Sequence, residues 1–134
     1  MNTQILDPQG VAKPAGLYNH AISVSSGNLL FIAGQVAIDE NSQLIGAGDF
    51  NAQMEQVFKN LGYILDSAGS SFDNVVKFTT YLTRSQDLSA FYEKRAEIFS
   101  DIYRNGRYPT NTLVVIDQLA HEEWLVEIEA VAVQ

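Results

Sequence analysis

The last run of the chain, Trp124 to Val133, most constrains what it can fold into. Trp124, Val126, Ile128, Ala130 and Ala132 alternate with Leu125, Glu127, Glu129, Val131 and Val133, a period of two that marks a β-strand. Both faces of that strand are largely apolar. The sequence carries only two helical patterns, and two helices cover one face of a sheet. The second face needs another cover. Either an N-terminal arm supplies it, or other copies of the chain do, as a ring or barrel of subunits.

Residues 1–19 read as an irregular arm, because Pro8, Gly10, Pro14 and Gly16 interrupt a polar stretch. Ala21 to Val24 and Leu29 to Ala33 flank Ser25-Ser26-Gly27-Asn28, a hairpin signal, and residues 36–48 read as a further turn and edge segment. Asp49 is the expected N-cap of a helix whose apolar face runs Phe50, Met54, Val57, Phe58, Leu61, Ile64, Leu65 and Ala68, with Gly69 as its stop. Gly62 inside it implies close packing, since glycine there costs about 1 kcal/mol against alanine. Asn74 to Leu82 predicts a strand. A second helix is expected from about Asp87 to Tyr103, with Leu88, Phe91, Arg95, Ile98, Phe99 and Ile102 along one side. Strands Thr110 to Ile116 and Trp124 to Val133 complete the order. The expectation is one α/β domain over residues 1–134, a two-layer α+β sandwich with two helices on one face of a mixed sheet.

Composition narrows the function. The net charge is −8, from 16 acidic against 8 basic side chains, so phosphate backbones and anionic membrane surfaces are not expected partners. There is no cysteine, which removes disulfides, thiolate nucleophiles and thiolate metal sites. The N-terminal residues do not read as a signal peptide, and no run of about 18 apolar residues occurs, so a cytoplasmic location is expected. His20 and His121 stand far apart, and GxGxxG, GK[ST] and GxSxG patterns are missing. Neither a metal site nor a cofactor is expected.

Glu127 and Glu129 share a strand face between Leu125 and Val131. A desolvated carboxylate there has a raised pKa, suited to general acid or water-polarising work; the alternative is a wet sheet edge or pairing with basic groups. Tyr18 can line a pocket and donate from its hydroxyl, while His20, two residues on, is either catalytic or a surface histidine. His121 reads as a solvent-exposed loop residue. Arg104 and Arg107 can clamp an anion or stand as solvated charges.

Four blocks in order now form a resemblance: Gly16-Leu17-Tyr18-Asn19-His20-Ala21, Phe31-Ile32-Ala33-Gly34-Gln35-Val36, Ala68 to Lys77, and Val126 to Ala132. From about residue 14 onward the sequence resembles the Rid family of reactive intermediate deaminases (RidA/YjgF-like). The resemblance implies a chorismate-mutase-like fold, a homotrimer whose sheets form a central barrel, and small-molecule pockets in clefts between subunits. It implies cofactor-free hydrolysis of imines and enamines to keto acids and ammonia; some members carry an older endoribonuclease label.

Carried over position by position, the resemblance makes Tyr18 the pocket tyrosine, Gly34 the pocket glycine and Glu127 the glutamate that positions the attacking water. The sequence departs from the family at Asn111, which stands where deaminating members have the arginine that holds the substrate carboxylate. Ala33 replaces a frequent serine, and Tyr92 stands where several members have asparagine. An amide cannot replace a guanidinium fork, and loss of such a charged partner weakens binding by roughly thirtyfold to several thousandfold. The expected function is an atypical hydrolase of an imine or enamine other than the standard short 2-imino acid, with Asn111 reading a neutral or distal polar group; whether Arg95 or Arg107 substitutes for the missing anchor is a question for the structure. The alternatives are a non-catalytic small-molecule-binding homologue and an endoribonuclease.

Overall fold

The computed structural model describes residues 2–134. Its main sheet contains β3 (Leu29–Gln35), β4 (Val75–Leu82), β5 (Thr110–Val115) and β6 (Val126–Val133), ordered β3-β6-β4-β5. The strand β6 runs antiparallel to both neighbours, whereas β4 and β5 are parallel. Parallel neighbours require a crossover, which α2 (Leu88–Ile102) provides; α1 (Phe50–Ser67) connects β3 to β4. Among the described residues no helix is long and apolar enough to cross a membrane.

The expected helices form for the expected reasons. The Asp49 carboxylate accepts from the Ala52 N–H at 3.1 Å, and Gly69, at φ +65°, closes the other end of α1. Both helices bury their apolar sides in one core that also holds Val126, Ile128, Ala130 and Ala132 of β6 and Phe78 of β4. Phe58 sits at the centre, with ring centroids of Phe78 and Phe99 at 5.8 and 6.0 Å.

Two expectations about the N-terminal third are corrected. The arm is not wholly irregular: β1 (Thr3–Leu6) pairs antiparallel with β2 (Ala21–Val24) as a separate two-stranded sheet. Consequently residues 21–33 are not a hairpin, because β2 pairs with β1 while β3 pairs with β6. The Ser25–Asn28 turn passes the chain from one sheet to the other. Gly27 has φ +115°, and a Cβ there would lie 2.6 Å from Val133 Cγ1. Apolar alternation specifies a strand but not its partner, which is why the turn imitated a hairpin.

The arm does not cover the second sheet face around β3. Phe31, opposite Val131 on that face, is 75% exposed.

Buried Gln53 was not singled out by its sequence context. Its Nε2 donates to the carbonyls of Gly46 and Glu123 at 3.1 and 3.0 Å, and its Oε1 accepts from the Leu125 N–H at 2.9 Å. It thereby fixes the entry to β6. Leu125 itself precedes β6 and is buried, not part of the outer face.

Gln53→Met should lower unfolding stability by about 2 kcal/mol or more, because it leaves three backbone groups without their partner; urea unfolding measures it. Gly62 differs from expectation: an added Cβ would meet Phe72 Cε2 at 3.5 Å, an ordinary contact. Gly62→Ala should therefore raise stability by up to about 1 kcal/mol in the same assay.

Candidate functional site

The Tyr18 segment is held to β5 by its neighbour. Asn19 donates through Nδ2 to the Tyr108 carbonyl at 2.7 Å and through its backbone N–H to the Pro109 carbonyl at 3.0 Å. This brings Tyr18 beside Asn111, and α2 completes the enclosure. The resulting cavity, of about 250 Å³, is lined by Ala15, Gly16, Tyr18, Tyr92, Arg95, Asn111 and Leu113. Three residues expected at the site, Tyr18, Tyr92 and Asn111, thus lie together.

Asn111 faces the helix side of the sheet. Its Oδ1 accepts from the hydroxyl of buried Thr80 at 2.9 Å. The same cavity holds Arg95, which is 5% exposed and has no hydrogen bond or ion pair among the described residues; its Nε is buried without a partner. Aromatic rings hold the guanidinium instead: its Cζ lies 5.0, 5.5 and 5.8 Å from the ring centroids of Phe91, Tyr92 and Phe99. Desolvation lowers the Arg95 pKa. Arg107 lies elsewhere, against Thr3, Ile5, Ile22 and Asp73. A cation on the apolar side of the second helix was the sequence signal for Arg95.

A second cluster lies on the opposite sheet face. The β3–β6 ladder is irregular between Ile32 and Gln35, and there Gly34 meets Glu127 so closely that an added Cβ would fall on its carboxylate. Burial, followed by the charge of Glu129, raises the Glu127 pKa. Glu129 accepts from the Tyr81 hydroxyl at 3.1 Å. Ala33 belongs to this outer face too, in a shallow depression of about 430 Å³ shared with Phe31, Lys77, Thr79, Glu129 and Val131. One chain therefore keeps Glu127, Gly34 and Ala33 apart from Tyr18, Tyr92 and Asn111.

The histidines have other surroundings. A His20 ring nitrogen bonds the Ala12 carbonyl, and its ring packs edge-on to Tyr18 with centroids 5.9 Å apart. His121 packs on Trp124 at 5.2 Å.

Fold and site define a small α/β protein with a buried cation in one cleft and a partly buried carboxylate of raised pKa on the other sheet face. The family model described as Endoribonuclease L-PSP matches residues 10–134, and the chain belongs to this family, the Rid family. It is 36% identical over 129 residues to a RutC family protein of Pyrococcus horikoshii, covering 96% of each chain. It is 34% identical over 119 residues to the mouse 2-iminobutanoate/2-iminopropanoate deaminase, covering 89% of this chain and 82% of the mouse protein. The crystal structure of a conserved Rid-family protein of unknown function from Yersinia pestis superimposes with a TM-score of 0.88 at 34% identity, over 100% of both chains.

Gly34→Ala should displace the Glu127 carboxylate, since the added methyl would overlap Oε1. With the carboxylate pushed toward water, its pKa should drop toward the ordinary glutamate value of about 4.3, read by carbon NMR titration of the carboxyl group.

Proposed function

We propose that the protein is a cofactor-independent hydrolase of a small imine or its enamine tautomer, releasing ammonia and a carbonyl compound. The observation that carries this reading is Glu127, a carboxylate partly buried against Gly34 with its pKa raised, in a chain 34% identical to a protein named for imine deamination.

The working unit in this reading is a homotrimer, in which Glu127 and Gly34 of one copy meet the Tyr18 cavity of the next. Two features support it: the clusters lie on opposite faces of the sheet within one chain, and the large apolar side chains of Leu29 and Phe31 on β3 are exposed. Glu127 orients a water toward the protonated C=N carbon and accepts a proton as the O–C bond forms. The C=N π electrons move to nitrogen, giving a carbinolamine. Proton transfer to that nitrogen lets the C–N bond break, and ammonia leaves as the carbonyl forms. The Tyr18 hydroxyl hydrogen-bonds the substrate, while Tyr92 and Asn111 bound it and the Ala33–Gly34 backbone forms the facing wall.

A protein that binds a metabolite without turning it over is the second reading, favoured by Asn111 at the anchor position. Following keto-acid release from enzymatically generated 2-imino acids decides between them. Hydrolysis predicts acceleration by the purified oligomer and a loss of about a hundredfold or more in Glu127→Gln. Saturable ligand binding without acceleration supports the second reading. The pH profile is a further check, because Glu127 must be ionised to act. Turnover should fall on the acid side through a pKa above the free glutamate value of about 4.3. Glu129→Gln removes a neighbouring negative charge, so it should shift that limb to lower pH.

A further inference from the structure

Arg95 is a buried cation without an anion. A charged side chain taken out of water normally has an opposite charge or a full set of hydrogen bonds. Arg95 has neither among the described residues, and its Nε is buried and unpaired. None of the residues lining its cavity is acidic. This is conspicuous in a chain with 16 acidic side chains against 8 basic ones. Of the other cations, Arg84 pairs with Asp87, Lys94 with Glu55 and Glu97, and Lys13 with Asp7, while Lys59, Lys77, Arg104 and Arg107 are exposed to water.

The surroundings also hold the guanidinium in place. Phe91, Tyr92 and Phe99 present their rings to it, and a Cβ at Gly16 would lie 3.1 Å from Nη2. A side chain at position 16 would therefore crowd the end of the fork. Rings satisfy the cation's face but offer no acceptor in its plane, where N–H groups donate. A planar, monoanionic acceptor fits that requirement. A doubly charged phosphate calls for more cations than this cavity has.

We infer that Arg95 is the anion anchor of the cavity, a residue of α2 holding the carboxylate that a strand arginine at position 111 would otherwise hold, and that the ligand is a small organic carboxylate. Tyr18 and Asn111, on the same cavity, supply neutral hydrogen bonds to the rest of the ligand. The assignment gives the substrate its charge and rests on the imine-hydrolase reading for the identity of the reacting end.

Binding tests it without turnover. The purified oligomer is titrated calorimetrically with 2-oxobutanoate, with butanone as its uncharged counterpart, and with inorganic phosphate. Nitrogen NMR follows the Arg95 Nε–H group. Saturable 2-oxobutanoate binding that shifts this resonance is expected, with butanone and phosphate at least about thirtyfold weaker. Arg95→Met, checked for native circular dichroism, should lose affinity by a similar factor. Asn111→Asp repeats the test without removing a buried side chain, because its carboxylate enters the same cavity and competes for Arg95. No saturation by 2-oxobutanoate, equal binding of butanone or phosphate, or undiminished affinity in the folded variants overturns the anchor. Binding through Arg95 with no keto-acid release would sink the hydrolase and leave the anchor standing. Keto-acid release undiminished in Arg95→Met would do the reverse.

Discussion

Everything in this fold depends on β6 being hydrogen-bonded on both sides. Its partners β3 and β4 run antiparallel to it, and its alternate residues face the helices or the outer surface. A slip of one residue would put Glu127 and Glu129 into the phenylalanine-rich core and expel Val126, Ile128, Ala130 and Ala132. Both ends are pinned against that slip. Gln53 holds the entry, while Ser70 donates to the Val133 carbonyl at 2.9 Å beyond which Gln134 pairs with Asn28. The placement of Glu127 is thus a consequence of core packing.

The same alternation separates two kinds of charge. Outer-face carboxylates lie side by side, so Glu127 meets both burial and the Glu129 charge, and each disfavours its ionised form. On the helix side, Arg95 is enclosed by aromatic rings in a cavity that no carboxylate lines. A carboxylate next to that guanidinium would neutralise the cavity. Keeping the two on opposite faces leaves an unneutralised cation in the cleft and a carboxylate of raised pKa on the outer surface of one small chain.

The elements were readable where a single periodicity determined them. The Asp49 cap, the Gly69 stop, the strand at β4 and the second helix follow from local pattern, and motif order pointed to the family. Partnership was not readable: residues 21–24 and 29–35 are both short apolar strands, and nothing local says that one pairs with the arm and the other with the C-terminal strand. Arg95 shows the same limit at the site. Its position on an apolar helix face was visible, but whether a carboxylate waited opposite depended on the segment that Asn19 folds against β5. Gln53 was hidden because a polar residue on a helix reads as solvated, and only the approach of the Gly46 and Glu123 carbonyls makes it central.

The endoribonuclease wording attached to the family model is poorly matched by the charges of this chain. Binding a nucleic acid backbone requires cations arranged along its path. Of the eight basic residues, Lys13, Arg84 and Lys94 are ion-paired, and Arg95 is enclosed in its cavity. The others are dispersed: Lys59 on α1, Lys77 on the outer sheet face, and Arg104 and Arg107 after α2. With a net charge of −8 around them, these four do not form a phosphate-tracking stripe. A single guanidinium in a cavity of about 250 Å³ instead favours one small anion over a chain of them.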